Sequence, residues 1–248
     1  MDGAPAMIAG GVECVSHIRT RDDGVSGMDP WIVANKPELY MPMIETADIV
    51  AARYGISREA QDRFAAQSQA RTEAAQAAGR YREEIIAVTT TMSVTDRATG
   101  AVTEREVTID KDTCNRPGTT YEALAALAPV RGAGQFVTAG NASQLSDGAA
   151  ACVLMEADEA KRAGIRPLGA FRGLAVAGCE PDEMGIGPVY AVPKLLARHG
   201  LKVQDIDLWE LNEAFASQAL YCQERLGIPM DRLNVDGGSI ALLSLIHI

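Results

Sequence analysis

The sequence is poor in the residues that build metal centres and disulfide frameworks. Its five cysteines lie far apart and include no Cys-x-x-Cys pair, and its three histidines stand in no ligand spacing. An odd, scattered set of cysteines is not typical of a disulfide scaffold or of a structural zinc site. We therefore predict neither, and we expect no metal in the site.

Long apolar runs and clusters of basic residues are also missing. No apolar run approaches the roughly 20 residues of a membrane-spanning helix, and the first residues lack the basic and apolar regions of a signal peptide. The 23 basic side chains are outnumbered by 33 acidic ones, and they are dispersed along the chain. Because nucleic-acid binding needs clustered Lys and Arg, we predict no nucleic-acid partner. From the missing apolar run and the missing signal-peptide regions we predict no membrane partner and a cytoplasmic location.

The 248 residues, 47% of them hydrophobic, are sufficient for a core in one or two domains. From Phe136 onward, apolar segments alternate with helical patterns, and this alternation predicts a layered α/β core. Expected strands are 6–11, 149–154, 168–176, 207–211 and 233–235. We interpret the first of these as a buried strand that enters a tight turn at Gly10 and Gly11. Expected helices are 46–55, with Thr46 as its cap, 57–79, 158–163, 192–199 and 213–226.

Residues 16–135 are predicted to be an insertion into that core, with a β-hairpin that turns at 97–100. Its long helix, 57–79, has only a narrow apolar stripe, and we expect this stripe to pack on one side of a small subdomain. The stripe consists of Ala60, Phe64, Ala74, Ala75 and Ala78.

Asn212 stands between an expected strand and an expected helix. A side-chain amide at a helix N-terminus could stabilise an anion or a developing oxyanion. The alternative is that Asn212 simply caps the helix, and the spacing alone favours this plainer interpretation.

Five segments together resemble the signature segments of the thiolases. They are Ala9-Gly10-Gly11-Val12-Glu13-Cys14, the segment from Val137 to Ala150 that contains Gly140-Asn141-Ala142-Ser143, Met184-Gly185-Ile186-Gly187-Pro188, Trp209-Glu210-Leu211-Asn212-Glu213-Ala214-Phe215-Ala216 and Asn234-Val235-Asp236-Gly237-Gly238-Ser239-Ile240-Ala241. The resemblance implies a thiolase-like layered α/β/α core with an inserted α+β loop subdomain. It also implies an acyltransferase that makes or cleaves a carbon–carbon bond next to a coenzyme A thioester.

The resemblance assigns roles and boundaries. Asn212 would hold the water of an oxyanion hole, Ser143 and Ala142 would lie against the pantetheine arm of coenzyme A, and Met184 would lie near the catalytic pocket. Coenzyme A would be a substrate, with no other cofactor, and the full-length parent would be a homo-oligomer. Residues 1–15 and 136–165 would belong to the N-terminal thiolase half, 16–135 to the inserted subdomain, 166–242 to a partial C-terminal half and 243–248 to an unrelated tail.

Three catalytic groups of the family have no match in this sequence. The family's nucleophilic cysteine, the histidine of its Gly-His-Pro motif and its second cysteine are missing, and neither the five cysteines nor His247 fits a matching motif. We therefore expect an incomplete thiolase that is inactive by itself. Two alternatives stay open: a non-catalytic thiolase-like protein that binds acyl-CoA or lipid or serves as an interaction subunit, and the product of a truncated coding sequence.

Overall fold

The computed structural model describes residues 3–15 and 28–242. Within these ranges the strands are β1 (Ala6–Glu13), β2 (Val88–Thr95), β3 (Val102–Ile109) and β4 (Gly148–Met155). The α-helices are α1 (Pro30–Asn35), α2 (Met43–Tyr54), α3 (Arg58–Ala77), α4 (Tyr121–Ala125), α5 (Ala157–Arg162), α6 (Pro188–His199) and α7 (Ala216–Leu226). Short 3-10 turns lie at Pro37–Tyr40, Pro181–Ile186 and Val203–Asp205.

The strands form two antiparallel pairs. β1 pairs with β4 from Ala6↔Met155 to Glu13↔Gly148, and β2 pairs with β3 as the expected hairpin. The tight turn predicted at Gly10 and Gly11 is wrong, because both glycines lie inside the β1–β4 ladder. A Cβ at Gly10 would lie 2.7 Å from the Ala150 carbonyl oxygen, so this position needs glycine for close strand packing. The strand is also largely exposed, where the sequence predicted burial.

Helix α3 packs its polar side inward. Ser57 caps its N-terminus as expected, with Oγ accepting from the Ala60 N–H at 3.1 Å. Phe64 and Ala75 of the predicted stripe are buried as expected, whereas Ala74 and Ala78 are exposed, so the expected contact face is confirmed only in part. The observed buried face consists of Gln61, Asp62, Phe64, Ala65, Ser68, Gln69, Thr72 and Ala75. It contacts both α4 and α7, so its packing partners extend beyond the inserted segment.

The core lies where α3, α4 and α7 meet residues 228–240. Its buried apolar cluster contains Phe64, Ala65, Leu124, Ala216, Ala219, Ile228, Leu233 and Ile240. Helix α2 joins the other side of α7, where the rings of Tyr54 and Tyr221 stack with centroids 4.0 Å apart.

Three other predictions about local structure need correction. Helix α2 begins at Met43, because the Pro42 carbonyl already accepts hydrogen bonds from the Glu45 and Thr46 N–H groups. Thr46 lies inside the helix, with Oγ1 donating to the Met43 carbonyl. Residues 168–176 form no strand, since no neighbouring strand pairs with them in the described ranges. The strands expected at 207–211 and 233–235 reduce to one parallel bridge, Trp209↔Leu233.

Candidate functional site

An apolar cavity of about 170 Å³ lies between helix α2, the turn before α6 and the loop before α7. Its lining residues are Met43, Thr46, Ala47, Val50, Met184, Gly185, Pro188, Leu211, Asn212, Ala214, Phe215 and Gln218. Two of the four residues singled out from the sequence, Asn212 and Met184, therefore border the same cavity.

Asn212 does not cap a helix, so the plainer alternative from the sequence is wrong. Helix α7 begins at Ala216 and its N-cap residue is Phe215. Asn212 lies in the preceding loop, where its carbonyl oxygen accepts from Gln218 Nε2 at 3.0 Å. Gln218 Oε1 also accepts from the Phe215 N–H. One buried glutamine therefore connects the start of α7 to the loop that carries Asn212.

Ser143 and Ala142 lie outside the cavity lining but touch the same loop. The Ser143 hydroxyl donates to the Ser239 carbonyl at 2.8 Å, and its N–H donates to the Ala214 carbonyl at 2.9 Å. Ala142 forms an isolated antiparallel bridge with Phe215. The segment containing Ser143 is thus joined to both C-terminal motifs, while its role against pantetheine stays a prediction.

Glu213 is a buried carboxylate that sequence reasoning did not single out. Its side chain accepts from Ser68 Oγ at 2.6 Å, from Asn234 Nδ2 at 2.7 Å and from the Ile240 N–H at 3.2 Å. Burial raises the pKa of this carboxyl above its ordinary value, and the hydrogen bonds oppose that shift. The sequence did contain a signal for this role, because Glu213 lies among the apolar residues of the segment from Trp209 to Ala216. An acid that is buried there is normally paired with other polar groups.

The two glycines of the last motif leave room for this carboxylate and for α3. A Cβ at Gly238 would lie 2.1 Å from the Glu213 carboxyl carbon, and a Cβ at Gly237 would lie 1.9 Å from Thr72 Oγ1. Gly237 also has φ +100°, a conformation that other residues rarely adopt. The Gly-Gly pair therefore lets residues 237–238 contact α3 directly.

Ion pairs hold the other wall of the cavity. Arg53 of α2 contacts the Asp182 and Glu183 carboxylates at 2.6 Å, and the Tyr54 hydroxyl donates to Glu183 at 2.6 Å. These hydrogen bonds to acids raise the pKa of both Arg53 and Tyr54. Because Asp182 and Glu183 directly precede Met184, the contacts fix this wall against α2.

No cysteine or histidine of the described residues lines the cavity. Cys179 and Cys222 lie near its wall, with Sγ atoms 3.7 Å from the Met184 and Gly185 carbonyl oxygens. Burial and nearby acids raise the pKa of Cys179, and burial raises that of Cys222 to about 12. Both therefore lack the thiolate character of a nucleophile. His17 and His247 lie outside the described residues.

The described part of the chain has no helix that combines the length and the apolarity needed to cross a bilayer. It contains no cluster of three or more His, Cys, Asp or Glu side chains that could hold a metal ion.

Comparison with known proteins identifies close matches along the whole chain. Residues 2–158 match the model of the thiolase N-terminal domain, and residues 165–244 match that of the thiolase C-terminal domain. The peroxisomal 3-ketoacyl-CoA thiolase B of Rattus norvegicus is 44% identical over 96% of this chain. The 3-ketoacyl-CoA thiolase of Bacillus subtilis is 42% identical over 97% of it. The chain spans 58% and 64% of the lengths of these two relatives.

Solved structures agree with these matches. The dimeric peroxisomal thiolase of Saccharomyces cerevisiae aligns with a TM-score of 0.82 and 35% identity, covering 96% of this chain and 58% of that one. Human mitochondrial 3-ketoacyl-CoA thiolase in complex with CoA aligns with a TM-score of 0.79 and 35% identity, covering 97% of this chain and 60% of that one. The predicted thiolase-like α/β fold class is confirmed, and the chain belongs to the thiolase family.

Proposed function

We propose that this chain supplies the substrate cavity of a thiolase-type acyltransferase that acts on 3-ketoacyl-CoA or acetyl-CoA, by thiolysis or by Claisen condensation. One observation carries the proposal: Asn212 and Met184, from two separate family motifs, border one apolar cavity. An amide at the edge of an apolar site can hold a water against a thioester oxygen as negative charge develops there. Coenzyme A is the proposed substrate, in keeping with the CoA complex of the human relative.

Ser143 and Ala142 complete this proposal as the residues beside the pantetheine arm. Their support is their position: Ser143 hydrogen-bonds to the Ala214 carbonyl and Ala142 pairs with Phe215, and both Ala214 and Phe215 line the cavity. We also retain as proposals the division of the chain into an insertion, 16–135, within two thiolase halves, and a homo-oligomeric parent protein. The second of these is supported by the dimer named in the yeast structure.

A chimera tests the enzymatic proposal. The region of the Bacillus subtilis thiolase that matches this chain would be replaced by residues 3–242, which places the cavity beside that enzyme's remaining residues. We expect the chimera to cleave acetoacetyl-CoA, because the chain is 42% identical to the region it replaces. Asn212→Ala in the chimera should lower kcat by about 10²-fold, the usual effect of losing an oxyanion-hole group.

The exposed residue Asn35 provides the control, and Asn35→Ala should leave kcat unchanged. A folded chimera without activity would contradict the proposal, as would an Asn212→Ala chimera with full activity. For the 248-residue chain alone we expect no thiolysis, since the two cysteines near the cavity have raised pKa values.

The same cysteine observation favours a second candidate, a non-catalytic protein that binds acyl-CoA. Titration calorimetry of the isolated chain with acetyl-CoA separates the two candidates when it is combined with the chimera. Binding together with an inactive, folded chimera would favour the binding protein. Binding together with an active chimera would favour the acyltransferase.

We propose the cytoplasm as the compartment of the protein. Some relatives are named as peroxisomal. Finding the protein in peroxisomes would therefore overturn this proposal. Imaging of the tagged full-length protein in its own cells decides between the two.

A further inference from the structure

One side chain holds both neighbours of Asn212. The Oδ1 atom of Asn234 accepts from the Leu211 N–H at 2.8 Å, and its Nδ2 atom donates to the Leu211 carbonyl at 2.9 Å and to Glu213 Oε1 at 2.7 Å. Asn234 is buried. The residues before and after Asn212 are therefore fixed by a single buried amide.

Asn234 makes these contacts from an unusual backbone conformation. Its φ of +44° is the only positive φ of a non-glycine residue in the described ranges. Asparagine tolerates this left-handed region better than most residues do. Such a conformation persists where surrounding contacts over-determine it, and it often accompanies a functional site.

Glu213 anchors this amide to the rest of the molecule. Its second oxygen accepts from Ser68 Oγ and from the Ile240 N–H. The Glu213 N–H donates to Ser239 Oγ at 2.7 Å. The Asn212 loop is thus fastened to helix α3 and to residues 239–240, and these partners come from two distant parts of the sequence.

We propose that Asn234 is a positioning residue, anchored by Glu213, that sets the orientation of Asn212 at the cavity before any ligand arrives. The inference rests on the proposed function, because it assumes that Asn212 faces the thioester carbonyl. A hydrogen-bond donor, or a side chain that holds a water, contributes more binding free energy when its orientation is already set than when it must reorganise during binding. Asn234 touches no substrate in this scheme and acts only through Asn212.

Asn234→Gly tests the proposal with the isolated chain. Glycine adopts φ +44° without strain, so the variant removes the amide contacts and leaves the backbone conformation accessible. The probes are acetyl-CoA and ethyl-CoA, the thioether that lacks the carbonyl oxygen. We expect wild type to bind acetyl-CoA about 3- to 10-fold more tightly than ethyl-CoA, the range for one net hydrogen bond.

Asn234→Gly and Asn212→Ala should both bring this ratio to about one while ethyl-CoA affinity stays the same. The exposed control Asn35→Ala should keep the wild-type ratio. A merely structural role of Asn234 would weaken both probes equally, and that result would overturn the proposal, as would an unchanged ratio. If Asn234→Gly does not fold, Asn234→Asp replaces it, because aspartate keeps the acceptor for Leu211 and removes the donor to Glu213.

NMR provides a readout that needs no ligand. The side-chain amide resonances of Asn212, assigned by their loss in Asn212→Ala, should shift and broaden in Asn234→Gly and stay unchanged in Asn35→Ala. Unchanged Asn212 resonances would overturn the inference. If wild type binds neither CoA probe, the proposed function fails, and the NMR comparison still decides whether Asn234 positions Asn212.

Discussion

Two regions of the molecule bury opposite kinds of side chain. The polar joint, which we define as Ser68, Gln69, Glu213, Asn234 and Ser239, is almost fully buried. The apolar ribbon, which we define as strands β1 and β4, leaves Ile8 and Val12 77% exposed and Val153 66% exposed. The polar joint is held by hydrogen bonds between distant segments, whereas the ribbon is held by the main-chain pairing of its two strands with each other.

The difference shows which part of the molecule defines the site. A buried polar network whose members are paired fixes one geometry, because any other arrangement leaves polar groups unsatisfied. An exposed apolar pair of strands imposes no such requirement. The cavity residue Asn212 is attached to the polar joint, so we expect substitutions there to have the largest effects.

Gly237→Ala should destabilise the protein most, by about 3 kcal/mol or more. The new Cβ would lie 1.9 Å from Thr72 Oγ1 and 2.8 Å from the Thr72 backbone nitrogen, at a φ of +100°. Overpacking and the left-handed conformation each cost about 1–3 kcal/mol. Gly132→Ala is the matched control, since Gly132 has φ +98° with no neighbouring atom within 4 Å. Urea unfolding of both variants separates the clash from the strain, and equal losses would contradict the packing argument.

Ser68→Ala should cost about 2 kcal/mol of the free energy of unfolding. The hydroxyl donates to Glu213 Oε2 and accepts from the Gly238 N–H, and both partners are buried. Its removal leaves a buried carboxylate and a buried amide with one partner fewer. Gln67→Ala, at an exposed position of the same helix, is the control and should change the free energy by less than about 0.5 kcal/mol. A similar small change for Ser68→Ala would show that the polar joint contributes little to stability.

The sequence predicted those features that depend on local signals. Ser57 at the start of α3, Gly55 and Gly200 at the ends of α2 and α6, and the hairpin turn before Gly100 all behave as expected. Each signal acts within a few residues, through a cap or a turn. The family motifs likewise indicated Asn212 and Met184, which border one cavity.

Features that depend on distant partners could not be predicted. The polar face of α3 is buried because Glu213, 145 positions away, accepts a hydrogen bond from Ser68. Residues 168–176 have the apolar composition of a strand, but strand formation also needs a paired neighbour. The roles of Glu213 and Asn234 follow from their contacts. The sequence shows an acid among apolar residues at Glu213, but it does not show the distant partners of either side chain.

The stability of the polar joint should also depend on pH through Glu213. Its folded pKa is raised above the ordinary value of 4.5, so the folded state binds more protons than the unfolded state between those two values. The contribution of Glu213 is therefore fully present below pH 4.5 and is lost as the pH rises through the folded pKa. Arg71 opposes the rise in the pKa of Glu213. Burial, Asp236 and Glu213 raise the pKa of the nearby Glu210 carboxyl.

Glu213→Gln removes the titrating group and isolates this effect. We expect the free energy of unfolding of wild type, minus that of the variant, to fall as pH increases above 4.5. Chemical unfolding of both proteins at several pH values measures the difference, and groups common to both proteins cancel to first order. A difference that increases with pH would mean that the hydrogen bonds to the carboxylate outweigh its burial.

Ile8→Thr in the apolar ribbon should have the smallest effect on stability, within about 0.5 kcal/mol. Ile8 is 77% exposed, and threonine keeps the β-branched shape that suits a strand. Ile228→Thr, at a position that is 1% exposed, is the buried counterpart and should cost about 2 kcal/mol. Exposed apolar strands favour association, so Ile8→Thr should instead reduce light scattering at high protein concentration. A loss similar to that of Ile228→Thr would show that the ribbon is covered in solution, and the contrast with the polar joint would then fail.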